Sequence, residues 1–84
     1  MNDNKQDHSH VINYTVNDDP QMTTEKELTP IAIMQNFGLD PETNYLIEMR
    51  GSNQISYKDK PTEPIKMHEK MKFIANPTGP TQVS

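Results

Sequence analysis

The stretch "LTPIAIMQNFGL", Leu28 to Leu39, carries both ends of a helix. The Thr29 hydroxyl can accept a free N–H of the first turn, and Pro30 follows at a position where its missing donor does no harm. Gly38 can take the left-handed conformation that ends a helix. Between them, Ile31 and Met34, with Leu28 or Ala32 and with Phe37, are expected on the inward face, and Leu39 is expected to fold back onto the core. A helix this short needs a partner surface, because two turns are not stable alone in water.

The residues on either side supply that surface. Upstream, "VINYTV" alternates, placing Ile12, Tyr14 and Val16 on one face of a half-buried strand. The "NDDPQ" that follows is turn-forming, so "QMTTEKEL" is expected to return as a second strand with Met22, Thr24 and Leu28 inward. Downstream of the helix, "DPETN" reads as a loop and "YLIEMR" as a strand. Its apolar set Tyr45, Ile47 and Met49 is expected inward, and Leu46, Glu48 and Arg50 toward water. "GSNQ" turns the chain into a short strand, "ISYKD". After a loop at "KPTEP" and a tight connection at "IKMHEK", "MKFIAN" forms the last strand, with Met71, Phe73 and Ala75 inward and Lys72 and Ile74 outward. The order is β-β-α-β-β-β. Two hairpins flanking one helix can bury their apolar sets only against it, which predicts an α+β layer: a mixed sheet of four to five strands packed on one helix.

With 84 residues, 31% of them hydrophobic, the chain has material for one small core. The "MNDNKQDHSH" of residues 1–10 offers little to bury and is expected to be a flexible arm, with the domain over residues 11–76 and a short tail over 77–84. A net charge of −4 with a single arginine, Arg50, argues against a nucleic-acid surface, which needs clustered cations. The sequence lacks an apolar run long enough to span a membrane and a secretory leader, so a cytoplasmic protein with no membrane partner is expected. Without cysteine there is neither a thiol nucleophile nor a thiolate metal site. His8, His10 and His68 lack the fixed spacing of a metal site, and Asp18 and Asp19, beside Pro20, read as turn formers rather than acid/base catalysts. Six methionines suit a small core as adaptable fillers. No nucleophile–base constellation and no phosphate loop is present, so the chain is not expected to be an enzyme.

From Val11 to Gly79 the sequence resembles the ubiquitin-like β-grasp family, in particular bacterial ubiquitin-like proteins of the multiubiquitin type. The resemblance is carried by "YTVND" in the first strand, "LTP" opening the helix, "PIKMHEKMKFI" entering the last strand, and a glycine beyond it. It departs from the family in having one Gly79 rather than a Gly-Gly pair, and a single domain rather than tandem copies. The resemblance implies a monomeric protein modifier without a cofactor of its own. A processing peptidase would trim it after glycine, an activating enzyme would adenylate the new carboxylate with ATP, and a conjugating enzyme would help pass it to target proteins; an antiviral role is implied by the resemblance alone.

On that reading, Gly79 is the residue that is processed and conjugated, and Gly79–Pro80 is the bond cut. A residue without a Cβ threads most easily into a narrow channel. Asn76, Pro77 and Thr78 are expected to form a free extended arm, with Pro77 keeping it out of the sheet. Third and fifth strands are neighbours in a β-grasp, so Leu46 and Ile74 are expected to form an exposed apolar patch for partners. Lys58, Lys60, Lys66, Lys70 and Lys72 are surface lysines, none of which stands out as an acceptor of a second copy. Two alternatives remain: a non-covalent β-grasp binding module and a sulfur carrier.

Overall fold

The computed structural model describes residues 10–79. Most of the expected N-terminal arm and the tail from Pro80 onward therefore lie outside the described residues. The elements are β1 (Ile12–Val16), β2 (Asp19–Thr23), β3 (Glu27–Leu28), α1 (Pro30–Phe37), β4 (Asn44–Arg50), β5 (Asn53–Ser56), β6 (Ile65–Lys66) and β7 (Met71–Pro77). Five of the strands form one mixed sheet in the order β2-β1-β7-β4-β5, and β3 and β6 form a separate two-stranded ladder. The expected α+β arrangement, a mixed sheet with one helix, is observed.

Local chemistry explains the helix. The Thr29 hydroxyl accepts from the Ala32 N–H at 3.1 Å, Pro30 opens the first turn, and Gly38 ends the helix at φ 90°. The Leu39 N–H then donates to the Met34 carbonyl at 2.8 Å, satisfying an end carbonyl and turning Leu39 back onto the core. The inward face differs from expectation. Pro30, Ile33 and Met34 are buried, while Ile31 is half-buried. The spacing of Pro30, Ile33, Met34 and Phe37 is the true helical stripe, with Ile31 on its flank.

In β1, Ile12, Tyr14 and Val16 are buried as expected. The hairpin to β2 is tighter than the sequence suggested, because Asn17 (φ 52°) and Asp18 (φ 69°) both sit in the left-handed region and close a two-residue turn. The strand accordingly begins at Asp19, two residues early, and ends at Thr23. Met22 and Thr24 point away from the core, Met22 being 71% exposed. Pro20, opposite Thr15, is tolerated because β2 is an edge strand.

The second correction concerns β4. Leu46 is 0% exposed and Glu48 3%, whereas Tyr45, Ile47 and Met49 are half-buried on the other face. The register with β7 enforces this inversion: Leu46 lies opposite Ala75 and Glu48 opposite Phe73, and cross-strand partners share a face. Phe73, fully buried and edge-on to Tyr14 at 6.0 Å between ring centres, anchors that face. Glu48 is buried with its charge compensated, since its Oε1 accepts from the Tyr57 hydroxyl at 3.1 Å and the Arg50 guanidinium spans both its oxygens at 3.1 and 3.2 Å. Tyr57, expected within the fourth strand, follows it instead: β5 ends at Ser56, and the Tyr57 N–H donates to the Leu46 carbonyl.

Two smaller features tie the loops down. The β3–β6 ladder falls where a plain tight connection was expected at Ile65 and Lys66, and its ends are fixed by the Met67 N–H on the Lys26 carbonyl. The helix start is held from the other side by the Ile31 N–H on the Pro61 carbonyl. Among the described residues no helix is long and apolar enough to cross a membrane.

Candidate functional site

Two features at the β4–β7 centre of the sheet face outward: a band of half-buried apolar side chains, and the exit of the chain at Gly79. The helix packs on the opposite face, so among the described residues no element covers the band.

The band follows from the same register that inverts β4. Ile47 lies opposite Ile74, Tyr45 opposite Asn76 and Met49 opposite Lys72, all on the face away from the helix. Ile74 is therefore outward, as the sequence suggested, but half-buried rather than exposed. Leu46, its expected companion in the partner-binding patch, belongs to the core, and Ile47 takes its place beside Ile74. The sequence carries no local signal for Ile47: placing Phe73 inward makes Ile74 outward, but only the β4–β7 register shows that Ile47, and not Leu46, lies opposite Ile74.

Cations border this band. The Lys58 ammonium stands over the Tyr45 ring at 5.4 Å from its centre, close enough for attraction to the π face. At the other end, Lys70 and Lys72 line a depression together with Asp18, Thr15, Met49 and Gly51. Lys70 holds φ 69°, an uncommon conformation for a residue with a Cβ, and its N–H donates to the Asn13 carbonyl at 2.8 Å. The arrangement offers an apolar centre with a partly cationic rim, suited to non-covalent contact with another protein.

The chain exit departs from expectation. Asn76 pairs with Tyr45 and Pro77 with Asn44, and the Thr78 N–H donates to the Thr43 carbonyl at 2.9 Å. The three residues expected to form a free arm are thus docked along β4. Pro77 does not interrupt the sheet because donors alternate sides along a strand. With Thr78 directed at β4, the Pro77 nitrogen faces the side where β1 has already ended, its pairing to β7 stopping at Phe73. Gly79 lies just past the last of these bonds. It is exposed, and a Cβ built on it would meet no atom of the described residues within 4 Å. Pro80 lies outside the described residues.

The other titratable cluster is structural. Burial first, and then the Glu48 charge and hydrogen bond, hold the Tyr57 hydroxyl above the ordinary tyrosine value. The hydrogen bond to Glu48, and then its charge, raise Arg50 further. Burial also raises Tyr14. Glu48 and Tyr57 are both buried, leaving no room for a substrate between them. His68 is exposed, and among the described residues no three His, Asp or Glu side chains are gathered to hold a metal ion.

No family model matches this chain, and neither a curated protein nor a solved structure does.

Proposed function

We propose that this chain is a ubiquitin-like β-grasp modifier, cut after Gly79 and joined through the Gly79 carboxyl to a target protein. The observation that carries this reading is the placement of Gly79. Among the described residues it stands exposed and unobstructed, one residue beyond the last main-chain bond of a strand held on both sides, by β1 and β4. The sheet order β2-β1-β7-β4-β5 over a single helix supports the β-grasp assignment, and the band around Ile47 and Ile74 provides a surface for the enzymes of the pathway.

The chemistry belongs to those enzymes. A peptidase adds water across Gly79–Pro80. The freed carboxylate attacks the α-phosphorus of ATP in the activating enzyme, expelling pyrophosphate. An enzyme cysteine then displaces AMP to give a thioester, which a conjugating enzyme passes to an amine or hydroxyl of the target. With Asn76 to Thr78 docked, entry into the activating enzyme requires the Thr78–Thr43 bond to open first. One such bond costs about 0.5–1.5 kcal/mol to release, a small demand on an ATP-driven step.

Intact-mass measurement tests the reading. Incubation with the processing peptidase should remove the residues after Gly79, and ATP with the activating enzyme should then yield an adduct that thiols release. Gly79→Ala should impair that adduct while shifting Tm by less than about 4 °C, the described residues around Gly79 giving the added methyl nothing to strike. A large loss of Tm would show that Gly79 is part of the folded body.

A second reading is favoured by the docked arm. If Asn76 to Thr78 never leave β4, the protein is a non-covalent binding module that works through the Ile47–Ile74 band. A chain whose mass is unchanged by peptidase, ATP and activating enzyme, but which still retains a partner through that band, would establish this alternative.

A further inference from the structure

The sheet has two edges, and the sequence treats them differently. At β2 the outward main-chain row includes Pro20, which has no donor to offer, because the closing pair Val16–Asp19 of the two-residue turn directs the next residue outward. Proline on an edge strand is a recognised block to pairing with another chain. At β5 there is no such block. The turn at Gly51 (φ 61°) and Ser52 makes Arg50 and Asn53 the closing pair, with Glu48 and Ile55 the next bonded pair, and the Tyr57 N–H on the Leu46 carbonyl continues the series. Gln54 and Ser56 therefore direct both N–H and C=O away from β4. The row Asn53 to Tyr57 contains neither proline nor charge.

We infer that β5 pairs antiparallel with β5 of a second copy of this chain, about a two-fold axis at Ile55. The register is self-complementary: Gln54 meets Ser56 of the second copy and Ser56 meets its Gln54, exchanging four main-chain hydrogen bonds. Ile55 falls on the axis. Its side chain is half-buried against the core at the rim of the sheet, and facing its own symmetry mate would cover the remainder. A second copy fits better than a charged partner, because an uncharged row meets itself without like-charge repulsion although the chain carries a net charge of −4. The two five-stranded sheets would join into one of ten strands, leaving the Ile47–Ile74 bands and both Gly79 exits open. The inference does not rest on the proposed function and revises the expected monomer.

Sedimentation velocity on the full chain tests it. The weight-average mass should rise with concentration from 9.7 kDa toward twice that value, the association being weak because the interface is small. Amide exchange at Gln54 and Ser56 should slow over the same range. Gln54→Pro, which copies the device found in β2, should abolish the rise. Should Gln54→Pro fail to fold, the pair Gln54→Lys with Ser56→Lys places like charges opposite each other across the axis and should abolish it with Tm unchanged. A chain that stays monomeric throughout overturns the inference, including the case in which the edge takes up an extended segment of a different protein. So does a dimer that persists in the lysine pair or leaves the Gln54 and Ser56 amides unprotected.

Discussion

The two faces of β4 run against their own composition. The outward face carries Tyr45, Ile47 and Met49; the inward face carries Leu46 and a carboxylate, Glu48, yet it is the inward face that the core encloses. A strand does not choose its face by counting its own apolar side chains. The choice is collective, made here by Phe73 and Ala75 on the neighbouring strand and by the two donors, Tyr57 and Arg50, that make burial of Glu48 tolerable. What remains outside is then available for contact with other molecules.

Substitutions on the two faces should separate them, and the largest effect belongs to the inner one. Leu46→Ala empties a site with no solvent exposure and should lower unfolding free energy by about 2–5 kcal/mol, read from the urea midpoint at constant m-value. A loss below about 1 kcal/mol would return Leu46 to the surface. Next comes Tyr57→Phe, which leaves one oxygen of a buried carboxylate with a single remaining partner, Arg50, itself 64% exposed. A loss of about 1–3 kcal/mol is expected; a neutral result would mean that water reaches Glu48 and that the inner face is not sealed.

Alkaline titration sharpens the contrast without mutation. Unfolded tyrosine releases its proton near pH ~10, whereas Tyr14 and Tyr57 hold theirs beyond it in the folded chain. The folded state therefore binds more protons in that range, so stability is fully present below the unfolded value and declines as pH rises toward the folded values. Tyr57→Phe should make the decline shallower in denaturant midpoints measured from pH 8 upward. The smallest effect on folding is expected outside: Ile47→Thr keeps the branched Cβ of a strand residue and should cost less than about 1 kcal/mol, while, under the proposed function, weakening capture of an enzyme that docks on the band. If Ile47→Thr were as damaging as Leu46→Ala, the two faces would not differ as described.

The same comparison shows where the sequence was sufficient. The helix was legible at both ends because Thr29, Pro30 and Gly38 act locally, each through its own hydroxyl, ring or missing Cβ. The existence of five sheet strands and one helix followed from alternation and turn residues. The face of β4 was hidden because it depends on the register with β7, a partner far along the chain that periodicity within β4 does not reveal. Pro20 drew the turn two residues too late, since an edge strand accepts proline and only the sheet order reveals that β2 is an edge. The β3–β6 ladder is too short to leave a periodic trace. Docking of Asn76 to Thr78 was hidden for the reason that hid β4: which side of β7 the Pro77 nitrogen faces is fixed by its neighbours.

The placement of β7 between β1 and β4, parallel to the first and antiparallel to the second, also dictates when the molecule can form. Phe73 is among the last residues of the domain to leave the ribosome, and the earliest strand waits for it. The first hairpin and the helix can gather as the chain emerges, but the interior closes only when the far end threads between strands made long before. Such a late keystone makes folding slow for the size of the molecule, and it leaves the two halves of the sheet unjoined until β7 has emerged.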